Sequence, residues 1–319
     1  MVPLPRRPAE CWSSTPNPLT GPVLTNRRFS YVQIDVFTSQ RLEGNQLIVF
    51  TDARGLTDAE MLALARETNL QETTFVFPRD AATERREGVR VRIFNPAEEL
   101  PFAGHPTLGT SNVLRMQDHP PTILLDLKAG KIPVVFRDDA RGAFGEMTQL
   151  DPVFGKIHDR NKVAGVIGLR PEDLEPDLPI QTVSTGLAFV VVPIRKLKAL
   201  QSLRLDFDRN DAYLKTAGEN ALDFHYVTRD TGDPQVRLRQ RNIDRLGEDP
   251  ATGSASGCTA AWMVNYGVAK SDELVLIRQG IEANRPSEIF VQASKERDRV
   301  NNVRVGGYAM KVMEGVLNL

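Results

Sequence analysis

Apolar and polar residues alternate along Tyr31-Val-Gln-Ile-Asp-Val-Phe37, the period-two pattern of a half-buried strand. A Gly44-Asn45 turn and the apolar run Leu47-Ile-Val-Phe50 follow. The period then changes. Thr57-Asp-Ala-Glu60 has capping-box spacing, and Met61, Leu64 and Ala65 share one helical face, so a helix is expected from Thr57 to near Asn69. Strands are expected at Thr73–Phe77 and Val89–Phe94, a helix at Thr107–Met116, and strands at Thr122–Leu127 and Ile132–Phe136. Charged and glycine residues between Arg137 and Gly142 then interrupt the pattern and mark a domain boundary.

The same order recurs beyond that point. A helix at Asn161–Ile167 closes on Gly168, and Leu187–Pro193 reads as a buried strand. Leu197, Leu200 and Leu203 mark a short helix, and Phe224–Val227 and Val236–Leu238 mark strands. Asp249-Pro-Ala-Thr-Gly-Ser254 opens a helix running to Val264, and strands are expected at Leu274–Arg278, Ile289–Gln292, Val303–Val305 and Ala309–Val312. His105-Pro-Thr-Leu-Gly-Thr-Ser111 echoes Asp249-Pro-Ala-Thr-Gly-Ser-Ala255. The echo points to duplicated halves and places His105 and Asp249 at equivalent mouths of two helices.

The chain has 319 residues, room for two domains. Pro3, Pro5, Pro8, Pro16, Pro18 and Pro22 leave the first 28 residues little to bury, so a loose extension is expected there, with Trp12 as a surface anchor. An N-terminal lobe is expected over residues 29–138 and a C-terminal lobe over 139–302. Forty basic residues against forty-one acidic ones give no charge excess to attract nucleic acid or a membrane surface. Arg237, Arg239 and Arg241 alternate with other residues and are expected on the solvated face of a strand. Two cysteines exclude a disulfide framework and favour a reducing, cytoplasmic setting. Four histidines without a Cys/His cluster argue against zinc. No apolar run is long enough to span a bilayer, and without an uninterrupted apolar stretch near Met1 no secretory signal is expected.

Each echoed segment has a proline near a helix start, where a missing N–H costs nothing. The neighbouring amides are free and partly positive. Gly253, Ser254 and Ala255 would let a carboxylate or a developing enolate approach them. The competing reading is a pair of tight turns into buried helices. Neither segment is a P-loop or a Rossmann fingerprint. Glu72 stands at the entry to a strongly apolar strand, where desolvation would raise its pKa and suit it to acid/base work. Read alone it is more often a solvated strand-end residue, and spacing does not show Glu72, His105 and Asp249 meeting.

Seven blocks carry a resemblance: Asn69-Leu-Gln-Glu72-Thr-Thr-Phe-Val76, Arg92-Ile-Phe-Asn-Pro96, Glu99-Leu-Pro-Phe-Ala-Gly-His-Pro-Thr-Leu-Gly109, Glu248-Asp-Pro-Ala-Thr-Gly-Ser-Ala255, Gln279-Gly280, Arg285-Pro-Ser287 and Val305-Gly-Gly307. Together, in this order, they resemble the PhzF-like proteins of phenazine biosynthesis. The resemblance implies an α+β, diaminopimelate-epimerase-like fold. Two pseudo-symmetric domains each wrap a mostly antiparallel, barrel-like sheet around a central helix. It also implies that residues 303–319 return to the first lobe and that the protein is a homodimer. The namesake enzymes isomerise trans-2,3-dihydro-3-hydroxyanthranilate without metal or organic cofactor. By resemblance Glu72 shuttles the proton, His105 and Asp249 assist, and Gly104, Gly253, Ser254 and Asn45 hold the small-molecule substrate.

The related epimerases use two thiols. With His105 and Asp249 in or beside those places, thiol two-base chemistry is disfavoured, and Cys258, one turn beyond Ser254, reads as a core residue. Asn95, Gln46, Asn284 and the stretch Gln240–Gly247 depart from the family pattern, and the last puts the namesake substrate in doubt. The expected function is a cofactor-independent isomerase moving a proton at carbon. An epimerase or cyclase on the same scaffold, and a non-catalytic metabolite binder, are the alternatives.

Overall fold

Helices Gly104–Asp118 and Gly253–Asn265 are each wrapped by a sheet, and the two sheets repeat one order of pairings. The computed structural model describes residues 27–217, 221–245 and 247–319. The expectations for residues 1–26, Trp12 included, lie outside the described residues. In the first lobe, strand Arg28–Val36 lies antiparallel between Ala309–Asn318 and Asn45–Phe50. Asn45–Phe50 then runs parallel to Glu72–Phe77, which is antiparallel to Val89–Phe94. Val89–Phe94 is parallel to Thr122–Leu127, and the antiparallel strands Gly130–Asp139 and Gly142–Thr148 complete the set. The second lobe repeats this: Val153–Ile157, Gln181–Ser184 and Ala188–Ile194 antiparallel; Asp223–Thr228 parallel to the last; Val236–Asp244 antiparallel. Val275–Gln279 is then parallel, followed by Ser287–Glu296 and Arg299–Gly307 antiparallel. Arg299–Gly307 also pairs with Gly142–Thr148, joining the two sheets into one.

Local signals explain most elements. Thr57 and Glu60 form the expected capping box, and Asn69 closes the helix Asp58–Thr68 in the left-handed region. Helix Gly253–Asn265 is buried on nearly every face, from Gly253 and Ala255 through Trp262 to Val264. Each large apolar side chain so buried contributes ~1.5–3 kcal/mol. Helix Gly104–Asp118 starts three residues before its expected position, because Pro106 is tolerated inside the first turn. Helix Ala81–Glu87 was not expected: it buries no residue and rests on the Asp80 cap, so it has no apolar period to read.

Two expectations are corrected. Arg239 and Arg241 are buried rather than solvated, and they pair with Glu282 at 2.6 Å and Glu248 at 2.7 Å. Arg237 pairs with Glu273. The echo between the halves is also in a different register. Each central helix begins with glycine, Gly104 or Gly253, and the preceding short strands pair Leu100 with Ile93 and Asp249 with Asn242. The counterpart of Asp249 is therefore Leu100, that of Pro250 is Pro101, and that of His105 is Ser254. The His-Pro and Asp-Pro dipeptides matched by chance: Pro106 lies in a helix, Pro250 in the loop before one. Forked ion pairs mark the true register. Arg92 grips Glu99 at 2.7 and 2.9 Å, and Arg241 grips Glu248 at 2.8 and 2.7 Å. Both pairs have the same spacing to the helix glycine.

Candidate active site

The two helix starts abut. A Cβ on Gly104 would stand 2.8 Å from the Ser254 amide nitrogen and 2.9 Å from the Gly253 Cα. Only two glycines permit that approach. Neither N-cap residue, Ala103 or Thr252, caps its helix with a side chain. Gly104, His105, Gly253 and Ser254 line a cleft of about 510 Å³ between the lobes, and the first-turn amides there carry the positive ends of two helix dipoles.

Glu72, the first residue of its strand, enters the same cleft. Its side chain keeps 18% of its surface exposed, and Oε2 lies 3.4 Å from His105 Nε2. Desolvation, reinforced by the negative charges of Asp249 and Asp244, holds its pKa well above the carboxylate range. His105 is buried and neutral: desolvation pulls its pKa down to about 3, partly offset by a hydrogen bond to the Gln46 backbone. Its Nε2 has no protein hydrogen bond among the described residues.

Asn45 ties the lobes together. Its Nδ2 lies 3.1 Å from His105 Nδ1 and donates to Asp249 Oδ1 at 2.6 Å and to the Ala251 carbonyl at 3.2 Å. Asp249 also accepts from the Thr252 hydroxyl at 2.6 Å and the Ala251 amide at 3.2 Å. Burial pushes its pKa up to about 6 against those donors, which work to lower it. Gln279 braces the loop, donating to the Asp249 carbonyl at 2.7 Å and the Thr252 hydroxyl at 2.9 Å. The loop carrying Asn45 is clamped by Arg285, which bonds Asp35 at 2.6 Å and the carbonyls of Glu43 and Gly44 at 2.7 and 2.9 Å. Gly44 has φ +70, a left-handed conformation, and a Cβ there would stand 2.3 Å from the Val36 carbonyl oxygen.

All seven residues singled out in the sequence thus fall at one place: Glu72, His105, Asp249, Gly104, Gly253 and Ser254 line the cleft, and Asn45 bonds to two of them. Asp223, Asp244 and Leu187 also line it and were not anticipated. The spacing shared by Arg92, Glu99 and Gly104 with Arg241, Glu248 and Gly253 was the signal that could have led to them. Cys258 is buried, its thiol pushed up to about 11 by desolvation, and it donates to the Leu187 carbonyl at 3.4 Å. A carboxyl whose proton affinity is raised by burial, beside an imidazole nitrogen without a protein hydrogen bond among the described residues and under two helix starts, can hold and pass a proton next to a bound anion.

Residues 34–315 match the model of the phenazine biosynthesis-like proteins, PhzC-PhzF. The chain belongs to this family. It is 33% identical over 303 residues to an uncharacterized isomerase of Mesorhizobium japonicum, covering 90% of this chain and 98% of the relative. It is 32% identical over 295 residues to a trans-2,3-dihydro-3-hydroxyanthranilate isomerase of Pseudomonas chlororaphis, covering 91% and 99%. The crystal structure of a Bacillus anthracis PhzF-family protein superposes with a TM-score of 0.81 at 27% identity, covering 91% of this chain and 99% of that one. The expected α+β epimerase-like fold is the one observed, and the chain is an isomerase of the PhzF family. No helix of the described residues is long and apolar enough to cross a membrane.

Proposed function

We propose that this PhzF-family enzyme moves a proton between carbons of a small, unsaturated amino carboxylate, with Glu72 as the shuttle. The observation that carries the reading is the Glu72 carboxyl 3.4 Å from His105 Nε2, in the cleft lined by both helix starts. The amides at Gly104, His105, Gly253 and Ser254 receive the substrate's carboxylate and the charge that develops on its conjugated system. Glu72, protonated at rest, gives its proton to one carbon. The carboxylate so formed takes a proton from a second carbon, and the starting enzyme is restored. His105 presents its Nε2 to the Glu72 carboxyl at 3.4 Å and keeps it aimed. Asp249, anchored by Asn45 and Thr252, supplies the negative charge that keeps Glu72 basic. The relatives' named substrate, trans-2,3-dihydro-3-hydroxyanthranilate, belongs to this chemical class.

The test is turnover of trans-2,3-dihydro-3-hydroxyanthranilate in heavy water, with product deuterium read by mass spectrometry. Deuterium enters the product carbon in the wild type, and Glu72→Gln lowers kcat by about 10³-fold, within the range of general acid/base contributions. Unchanged turnover in that variant removes Glu72 from the role. The two-cysteine composition supports a cytoplasmic setting and the family resemblance a homodimer; sedimentation of the purified chain tests the dimer.

A further inference from the structure

The cleft wall is built from counterpart positions. Leu47 pairs in parallel with Glu72, and Phe189 with Asp223. Thr74 pairs with Ile93, and His225 with Asn242. Ile93 and Asn242 are counterparts through their bonds to Leu100 and Asp249. Counting back two residues from Thr74 and His225 makes Asp223 the second-lobe counterpart of Glu72. Each is the first residue of a six-residue strand, and both line the cleft. Around them the lobes have diverged: Gln71 answers to Leu222, Leu100 to Asp249 and His105 to Ser254. Among these pairs only Glu72 and Asp223 keep a carboxyl on both sides.

The local chemistry of Asp223 fits a ligand-facing group better than a structural one. Its Oδ1 accepts from the Phe224 amide at 2.8 Å, while Oδ2 makes no hydrogen bond to a described residue. The nearby guanidinium of Arg245 is committed to Asp208 and to Asp211, the latter at 2.9 Å. Asp244 and Asp211 add negative charge from the adjoining strand and helix, and burial is the larger influence, so the carboxyl is pushed up to about 8. The lining of the cleft contains neither lysine nor arginine. Among the described residues no three metal-ligating side chains are grouped to hold an ion.

We propose that Asp223 is a second substrate-contacting carboxyl, through which the second lobe binds the amino substituent of the substrate while the helix amides hold its carboxylate. The inference rests on the amino-carboxylate reading given above. It makes Asp223 a specificity-determining residue, and it gives the cleft an electropositive end at the helix starts and an acidic end at Asp223.

Anthranilate, a planar amino carboxylate without a transferable ring proton, and benzoate, its analogue lacking the amine, separate the two ends. Calorimetric titration at pH 9, where the Asp223 carboxyl is ionised, is expected to show wild-type enzyme binding anthranilate at least tenfold more tightly than benzoate. Asp223→Ala is expected to erase that preference while leaving the benzoate affinity within twofold. Asp223→Asn keeps an acceptor for the Phe224 amide but turns its NH2 toward the ligand's amine. It is expected to lose at least fivefold for anthranilate alone, and it serves if the alanine variant does not fold. A preference unchanged in both variants overturns the role of Asp223 and leaves the proposed function standing. A wild type that shows no preference, or binds neither ligand, overturns both.

Discussion

The hairpin leading into each central sheet is built differently in the two lobes. In the second lobe Ser184 and Ala188 are joined by three residues, 185–187. In the first, Val36 and Asn45 are joined by eight, 37–44. The longer loop crosses to the other lobe: the Gly44 amide donates to the Pro286 carbonyl at 2.9 Å, and the Glu288 amide donates to the Phe37 carbonyl at 2.8 Å. Its end presents Asn45 to His105 and Asp249, where the second lobe presents Leu187. A duplicated scaffold has thus acquired a one-sided polar cluster. One inserted loop brings the side chain that reaches both lobes, and the second lobe contributes the acid it anchors.

The clamp on that loop gives the largest effect. Arg285→Ala leaves Asp35, only 1% exposed, without its guanidinium, and breaking a buried pair in this way costs about 3 kcal/mol. Urea unfolding measures it. A loss under 1 kcal/mol means that the loop holds its position without the clamp. Asn45→Leu installs the second-lobe side chain at the first-lobe position. Losing a hydrogen bond to a charged group removes ~1.5–3 kcal/mol, roughly 10–100-fold in kcat. The acid limb of the pH–rate profile also moves up, because Asn45 lowers the Asp249 pKa. An unmoved limb separates Asn45 from Asp249.

The smallest effect opposes the two kinds of buried group. His105 and His225 are pulled down to about 3 and about 4, so the unfolded chain binds more protons below about 6.5. Stability from this source is complete above that pH and is lost as pH falls. Asp249 and Asp223 are pushed up to about 6 and about 8, so the folded chain holds extra protons above the ordinary carboxylate range. Their contribution is complete at low pH and is lost as pH rises through those values. Between pH 6.5 and 8.5 only the carboxyls still act, and Tm falls by on the order of 2 °C. Asp223→Asn lessens that fall, the raised Glu72 carboxyl supplying the rest, as scanning calorimetry would show. A Tm that rises over this window contradicts the raised carboxyls.

Much of the fold was legible wherever burial imposes a period. The capping box at Thr57, the strand at Glu72–Phe77 and the left-handed stop at Gly168 all follow from side-chain chemistry within a few residues. Helix Ala81–Glu87 was silent because no face of it is apolar. Arg239 and Arg241 were misjudged because an alternating basic strand looks the same whether its partners are water or Glu282 and Glu248. At the site, Glu72, His105 and Asp249 were recognisable one block at a time. What no single block contains is the pairing register, and only the register makes Asp223 the partner of Glu72.

The strand Arg299–Gly307 closes both sheets, and Ala309–Asn318 covers the outer edge of Arg28–Val36. During synthesis the first lobe therefore leaves the ribosome with two bare edges, at Arg28–Val36 and Gly142–Thr148. At about 5–20 residues per second those edges wait roughly 10–30 s for the strands that seal them. Unpaired edges over that interval invite pairing with neighbouring nascent chains, so this architecture assigns its chaperone demand to translation rather than to refolding of the finished protein.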